Sequence, residues 1–161
     1  MDPIIMYLIV AVLAMFPTVE ALGAIAIGVL VFHLNPFAVF VLAFAANTAI
    51  YFPIFFGLDH LYKYIERFGL VRRFVKAAKQ KGHKQIERYG YIGLAIYLAI
   101  PLPLSGTWTG TLIAWLLGLD KRKAFFAVLI GVFVACLTAL ILSLFAQEIL
   151  FQLGAPRVSP I

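Results

Sequence analysis

Between Ile4 and Leu58 the sequence holds a single charged side chain, Glu20. It stands just after Pro17 and Thr18, at the head of the segment Glu20-Ala-Leu-Gly23-Ala24. A carboxylate in hydrocarbon costs about 2.5–3.5 kcal/mol on insertion scales for Asp, unless it is protonated, paired or facing a cavity. At a helix N-terminus the free amides and the macrodipole favour its ionised form, so Glu20 is suited to exchanging a proton or holding a cationic group. The plainer alternative is a helix cap near the membrane interface, and the sequence supports both.

A second group of polar residues interrupts another apolar run. The stretch Ala99–Gly118, AIPLPLSGTWTGTLIAWLLG, places Pro101 and Pro103 and then Ser105, Gly106, Thr107, Trp108, Thr109 and Gly110 where a membrane helix would carry leucines. Prolines remove backbone donors, glycines allow a tight tip, and hydroxyls can bond the freed backbone groups. Thr18 and Pro17 have the same character in the first run, with Gly23 following. Asn47 lies in the middle of the next apolar block, where an amide either joins helices or meets a substrate. Trp108 and Trp115 either line a site for a cationic or aromatic ligand or anchor the chain at the interface.

Enzyme signatures are missing. His33, His60 and His83 show no metal-ligand spacing, Cys136 is the single cysteine, and there is neither a Ser–His–acid nor a Cys–His arrangement nor a phosphate-binding glycine loop. The expectation is a protein without catalytic residues, bound metal or cofactor. Asp59 and His60, at the end of the second apolar block, carry no recognisable signature.

The elements that position these residues follow from composition. Of 161 residues, 64% are hydrophobic, with a mean hydropathy of +1.03. A soluble domain averages about 45–50% apolar residues, and the excess here cannot be buried in one core. The chain is therefore an all-α integral membrane protein. The opening Asp2-Pro3 lacks the basic flank of a secretory signal, so the first apolar run is expected to be retained.

Four apolar blocks span Ile4–Leu34, Phe37–Leu58, Tyr91–Leu119 and Ala124–Phe151. About 20 residues cross a membrane, so the second and fourth blocks each make one span. The first and third are too long for one span, too short for two, and broken by proline. The net charge of +6 lies wholly between Asp59 and Arg88, and Lys121-Arg122-Lys123 forms the other basic cluster. If both clusters are cytoplasmic, the third block enters and leaves on one side as a re-entrant hairpin. A single kinked span is the alternative, but it would place one cluster outside.

The resulting plan is an inverted-topology repeat in one membrane domain, 1–161. Residues 4–34 form the first re-entrant hairpin and 36–58 a transmembrane helix. Residues 59–89 form a basic amphipathic cytoplasmic segment, 90–119 the second hairpin, and 121–151 the last transmembrane helix. Asn35 and Asp120 are expected N-caps. Both termini fall outside. Broken helices in inverted repeats, meeting near the midplane, are an architecture of secondary transporters. Gly28, Ala45, Ala46 and Gly131 would let helices approach closely, and a chain this short is expected to form a homodimer or larger assembly. Arg72, Arg73, Lys76 and Lys79, with Lys121, Arg122 and Lys123, are expected at an anionic lipid surface rather than on nucleic acid.

With Pro17-Thr-Val-Glu20-Ala-Leu-Gly23-Ala24 in one hairpin, Asn47 in the following span, and Pro101-Leu-Pro103-Leu-Ser-Gly106-Thr-Trp108-Thr109-Gly110 in the other, the chain resembles the small multidrug export protein family. The resemblance covers residues 10–150. It departs in the first motif, where Leu22 stands in place of an arginine and the proline after Ala24 is missing. The family is similar in plan to the DedA superfamily, which includes translocases of undecaprenyl phosphate and lipid scramblases. DedA proteins tend to carry arginines in the second hairpin, and here none occurs between Arg88 and Lys121.

The leading reading is a small exporter in a plasma membrane, with its substrate or coupling ion held between the hairpin tips and Glu20 as the titratable group. The alternatives are a translocase of an anionic lipid or polyprenyl phosphate, and a non-transporting adaptor acting through its basic loop.

Overall fold

The computed structural model describes residues 2–65, 90–101 and 106–153, and all regular structure among them is helical. Arg72, Arg73, Lys76 and Lys79, most of the basic segment, and Pro103 and Ser105 lie outside the described residues.

Helix α1 (Pro3–Met15) is capped by Asp2, whose carboxylate accepts from the Ile4 N–H, with Pro3 in the first turn. It stops at Phe16 because the residue before a proline is disfavoured in the α region, and Phe16 is extended. Thirteen residues rise about 20 Å, well short of a hydrocarbon core of about 30 Å. Helix α2 (Glu20–Val31) starts four residues beyond Phe16, and its last turn, Ile27–Val31, widens to π geometry.

Asn35 then caps α3 (Pro36–Ala49), accepting from the N–H groups of Phe37 and Ala38. A break at Ile50 separates α3 from α4 (Tyr51–Ile65). Pro53 explains it, since a proline ring clashes with the carbonyl four residues earlier, here that of Ala49. Pro36–Tyr64 is nonetheless long and apolar enough to cross a membrane. The helix runs past Leu58, so Asp59, His60 and Lys63 extend the same rod.

The second half repeats the order short, short, long. Helix α5 (Gly90–Ala99) ends just before Pro101, and α6 (Thr107–Leu116) starts at Gly106. Asp120 then caps α7 (Lys121–Gln152) through the N–H groups of Arg122 and Lys123. With 32 residues, α7 is about 48 Å long and overshoots the hydrocarbon core.

Packing sets one face of each short helix against its neighbours. Helix α1 lies on α2 and α3, α2 on α3 and α7, and α6 on α4 and α7. Val10, Ile25, Val39, Leu98 and Val128 are fully buried at these contacts. Gly131 allows α7 to touch α5, since a Cβ there would strike the Ala95 carbonyl oxygen, and Gly28 lets α2 close on Val39 of α3. Both small residues are thus used within one chain. On its outer side α7 exposes Phe126, Ile130, Ile141, Phe145 and Ile149. Continuous exposed hydrocarbon along so long a helix belongs against lipid, not water.

Candidate functional site

Glu20 is the first residue of α2, yet it does not cap that helix. Its backbone takes a left-handed φ of 50°, unusual for a residue with a side chain and costing about 1–3 kcal/mol. The conformation turns the carboxyl inward, where Glu20 is only 2% exposed. Neither oxygen makes a hydrogen bond within the described residues. Gly106 lies directly against the carboxyl across the second break. The two broken regions touch here, Glu20 at the start of α2 lying against Gly106 before α6. A Cβ on Gly106 would collide with Glu20 Oε2, so the carboxyl can hold this position only beside glycine.

Around this contact the polar residues are paired with one another. Asn47 Nδ2 donates to the Ala14 carbonyl at 2.6 Å, and Asn47 Oδ1 accepts from Thr107 Oγ1 at 2.6 Å. Trp108 Nε1 donates to the Met15 carbonyl at 2.9 Å. Ala14 and Met15 are the last residues of α1, whose carbonyls lose their helical partners where the chain breaks. Side chains of α3 and α6 thus satisfy the open end of α1 and join the two halves. Thr111 Oγ1 bonds the Thr107 carbonyl at 2.5 Å, within α6.

Two spaces adjoin Glu20. On its inner side, between Asn47, Gly106, Val132 and Cys136, the void is about 10 Å³, at the lower limit for one water. Cys136 is a buried free thiol that packs there. On the outer side a groove of about 600 Å³ runs between the start of α2 and α7, lined among others by Thr18, Gly23, Leu30, Pro101, Leu142 and Ser143. Ser143 is buried and returns its hydroxyl to the Ala139 carbonyl at 2.8 Å. Glu20 is the one charged residue among the described residues lining the groove.

Of the residues singled out in the sequence, Glu20, Thr18, Gly23 and Pro101 meet at the groove, while Asn47, Thr107, Trp108 and Gly106 form the seam beneath it. Thr109 is half-buried on α6 and outside the groove lining, and Gly110 packs closely on Leu98. The serine on α7 was not foreseen, since one hydroxyl in an apolar span has no sequence signature.

A different polar cluster lies at the other end of α6. Asp59 pairs with Lys121 Nζ at 2.7 Å and accepts from Trp115 Nε1 at 2.8 Å, and Tyr51 donates to the Lys121 carbonyl at 2.9 Å. Trp115 is therefore a buried strut rather than a ligand platform. Lys121, expected at a lipid surface, is half-exposed and paired with Asp59. Among the described residues no group of acidic, histidine and cysteine side chains is arranged to hold a metal.

Residues 20–138 match the model of a family described as "Putative small multi-drug export protein". No curated protein and no solved structure matches the chain. The match begins at Glu20 itself and takes in the α3 amide, both sides of the second break and most of α7, and the chain belongs to this family of small membrane exporters.

Proposed function

We propose that the protein exports small amphipathic cations across a plasma membrane in exchange for protons, with Glu20 as the group that binds one or the other. The observation that carries this reading is the Glu20 carboxyl: 2% exposed, without a hydrogen bond at either oxygen among the described residues, and bordering a groove whose other described lining residues are uncharged. A buried polar group without a partner is retained at a cost of about 1–3 kcal/mol, which evolution tolerates where a ligand or proton completes it. Proton and cation compete for the same two oxygens, so binding one releases the other.

In this reading the pairs α1–α2 and α5–α6 are re-entrant hairpins entering from opposite faces. The two halves are inverted repeats, with both termini outside. Unwound backbone at membrane depth is tolerated where it is buried or lines a cavity, and the Ala14 and Met15 carbonyls are covered in this way. A homo-oligomer would complete the wall of the open groove. Among the described residues of this groove the charge is a carboxylate, which repels phosphate and disfavours an anionic substrate there.

The test is transport by the purified protein in liposomes with an imposed proton gradient, using ethidium as the cation. Wild-type protein should move ethidium against its gradient, Glu20→Asp should keep part of the flux, and Glu20→Gln should abolish it. Proton-driven flux in Glu20→Gln equal to wild type would overturn the proposal.

A further inference from the structure

A second concavity lies away from Glu20, between α4 and the first turns of α7. It encloses about 410 Å³ and is lined by Phe52, Phe55, Phe56, Phe125 and Phe126, with Lys121 and Arg122 at one end. The groove has a direction. Phe52 meets Phe125 at 4.9 Å between ring centroids, whereas Asp59, two turns further along α4, meets Lys121. The helices therefore run antiparallel here, with the aromatic floor toward the middle of both spans and the charged residues at their polar ends.

The two cations differ. Lys121 Nζ lies 5.2 Å from the Phe55 ring centroid and 5.0 Å from that of Phe56, but its charge is balanced by Asp59. Arg122 has no ion pair among the described residues. Its backbone N–H is taken by Asp120, while its planar guanidinium is left at the rim with donors suited to phosphate oxygens. Phe52, Phe56 and Phe126 are all exposed, so the floor is open to hydrocarbon along its length.

We propose that this aromatic groove binds one anionic phospholipid, with its phosphate on Arg122 and the first part of an acyl chain over the phenylalanine floor. The occupant follows from the combination: one cation without an ion pair among the described residues at the polar end, phenylalanine rings below it beside Tyr51, whose hydroxyl is taken by the Lys121 carbonyl, and an opening to the bilayer along the side. A soluble anion would use the cation and leave the floor uncovered. The site is separate from the Glu20 groove and does not depend on transport.

Native mass spectrometry of the full-length protein in detergent tests it, titrating phosphatidylglycerol and phosphatidylcholine of identical chains. One phosphatidylglycerol should be retained with about a fivefold preference, the effect of one basic residue near an anionic headgroup. Arg122→Gln should remove the preference, Lys123→Gln should keep it, and Phe126→Ser should weaken retention of both lipids. Equal retention of the two lipids by the wild-type protein would overturn the proposal, as would a preference that survives Arg122→Gln or is lost equally in Lys123→Gln. Displacement of the lipid by millimolar inorganic phosphate would show a phosphate site without a lipid floor, and would also overturn it.

Discussion

Two carboxylates occupy opposite ends of α6 and live by different rules. Asp59 has a lysine at 2.7 Å and an indole N–H at 2.8 Å, and stands half-open to solvent. Glu20 is buried, accepts no hydrogen bond, and sits on a strained backbone angle. A paired carboxylate at a helix end fixes helices in place. An unpaired one inside apolar surroundings destabilises the resting fold, and its retention needs a reason outside the resting fold. Under the proposed function the difference separates a structural acid from a working one, although both are single acidic residues beside an apolar run.

The comparison breaks most sharply in transport. Asp59→Asn should leave most proton-driven flux intact while Glu20→Gln removes it, measured side by side in the same liposomes; a reversed outcome would exchange the two roles. Next in size is the seam that holds the Glu20 site. Asn47→Leu leaves the Ala14 carbonyl without its donor and the Thr107 hydroxyl without its acceptor, and should lower stability by about 2–4 kcal/mol in a chemical unfolding assay. Gly106→Ala drives a methyl group into Glu20 and should cost about 1–3 kcal/mol, recovered in large part by the second change Glu20→Ala. No recovery would mean that the clash lies elsewhere.

Smallest is the stability effect of Asp59→Asn. Both partners of the Asp59–Lys121 pair are substantially exposed, with side-chain exposures of 39% and 51%. Such a pair is worth about 1 kcal/mol or less, and raising the salt concentration should weaken it further. Glu20→Gln, by contrast, should leave stability unchanged or raise it, because an amide is easier to bury than a carboxylate. A stability loss in Glu20→Gln larger than that in Asp59→Asn would make Glu20 a structural residue after all.

Much of the helical plan was legible because its causes are local. Pro17, Pro53 and Pro101 stop or bend helices through their own rings, and Asn35 and Asp120 cap the helices that follow them within three residues. The continuation of α4 past Leu58 was not legible, since Asp59 and His60 read as the end of an apolar block and helices do not stop where hydropathy does. The choice between two readings of Asn47 and Trp108 was also beyond local pattern. Their partners, the carbonyls of Ala14 and Met15, are backbone atoms that no residue type advertises. Gly28 and Gly131 were legible as points of close approach, but not as approaches within one chain.

By itself the sequence determined that the chain belongs in a membrane, where its breaks fall, and that Glu20 is the lone charge between Ile4 and Leu58, because hydropathy, proline sterics and charge are properties of residue types. Only the tertiary structure decided that Glu20 faces Gly106 across the two halves and lacks a hydrogen bond among the described residues, while Asp59 meets Lys121 and Trp115. Hydrogen bonds and close contacts join atoms far apart in the chain, and whether a buried group is satisfied depends on what the other helices bring to it.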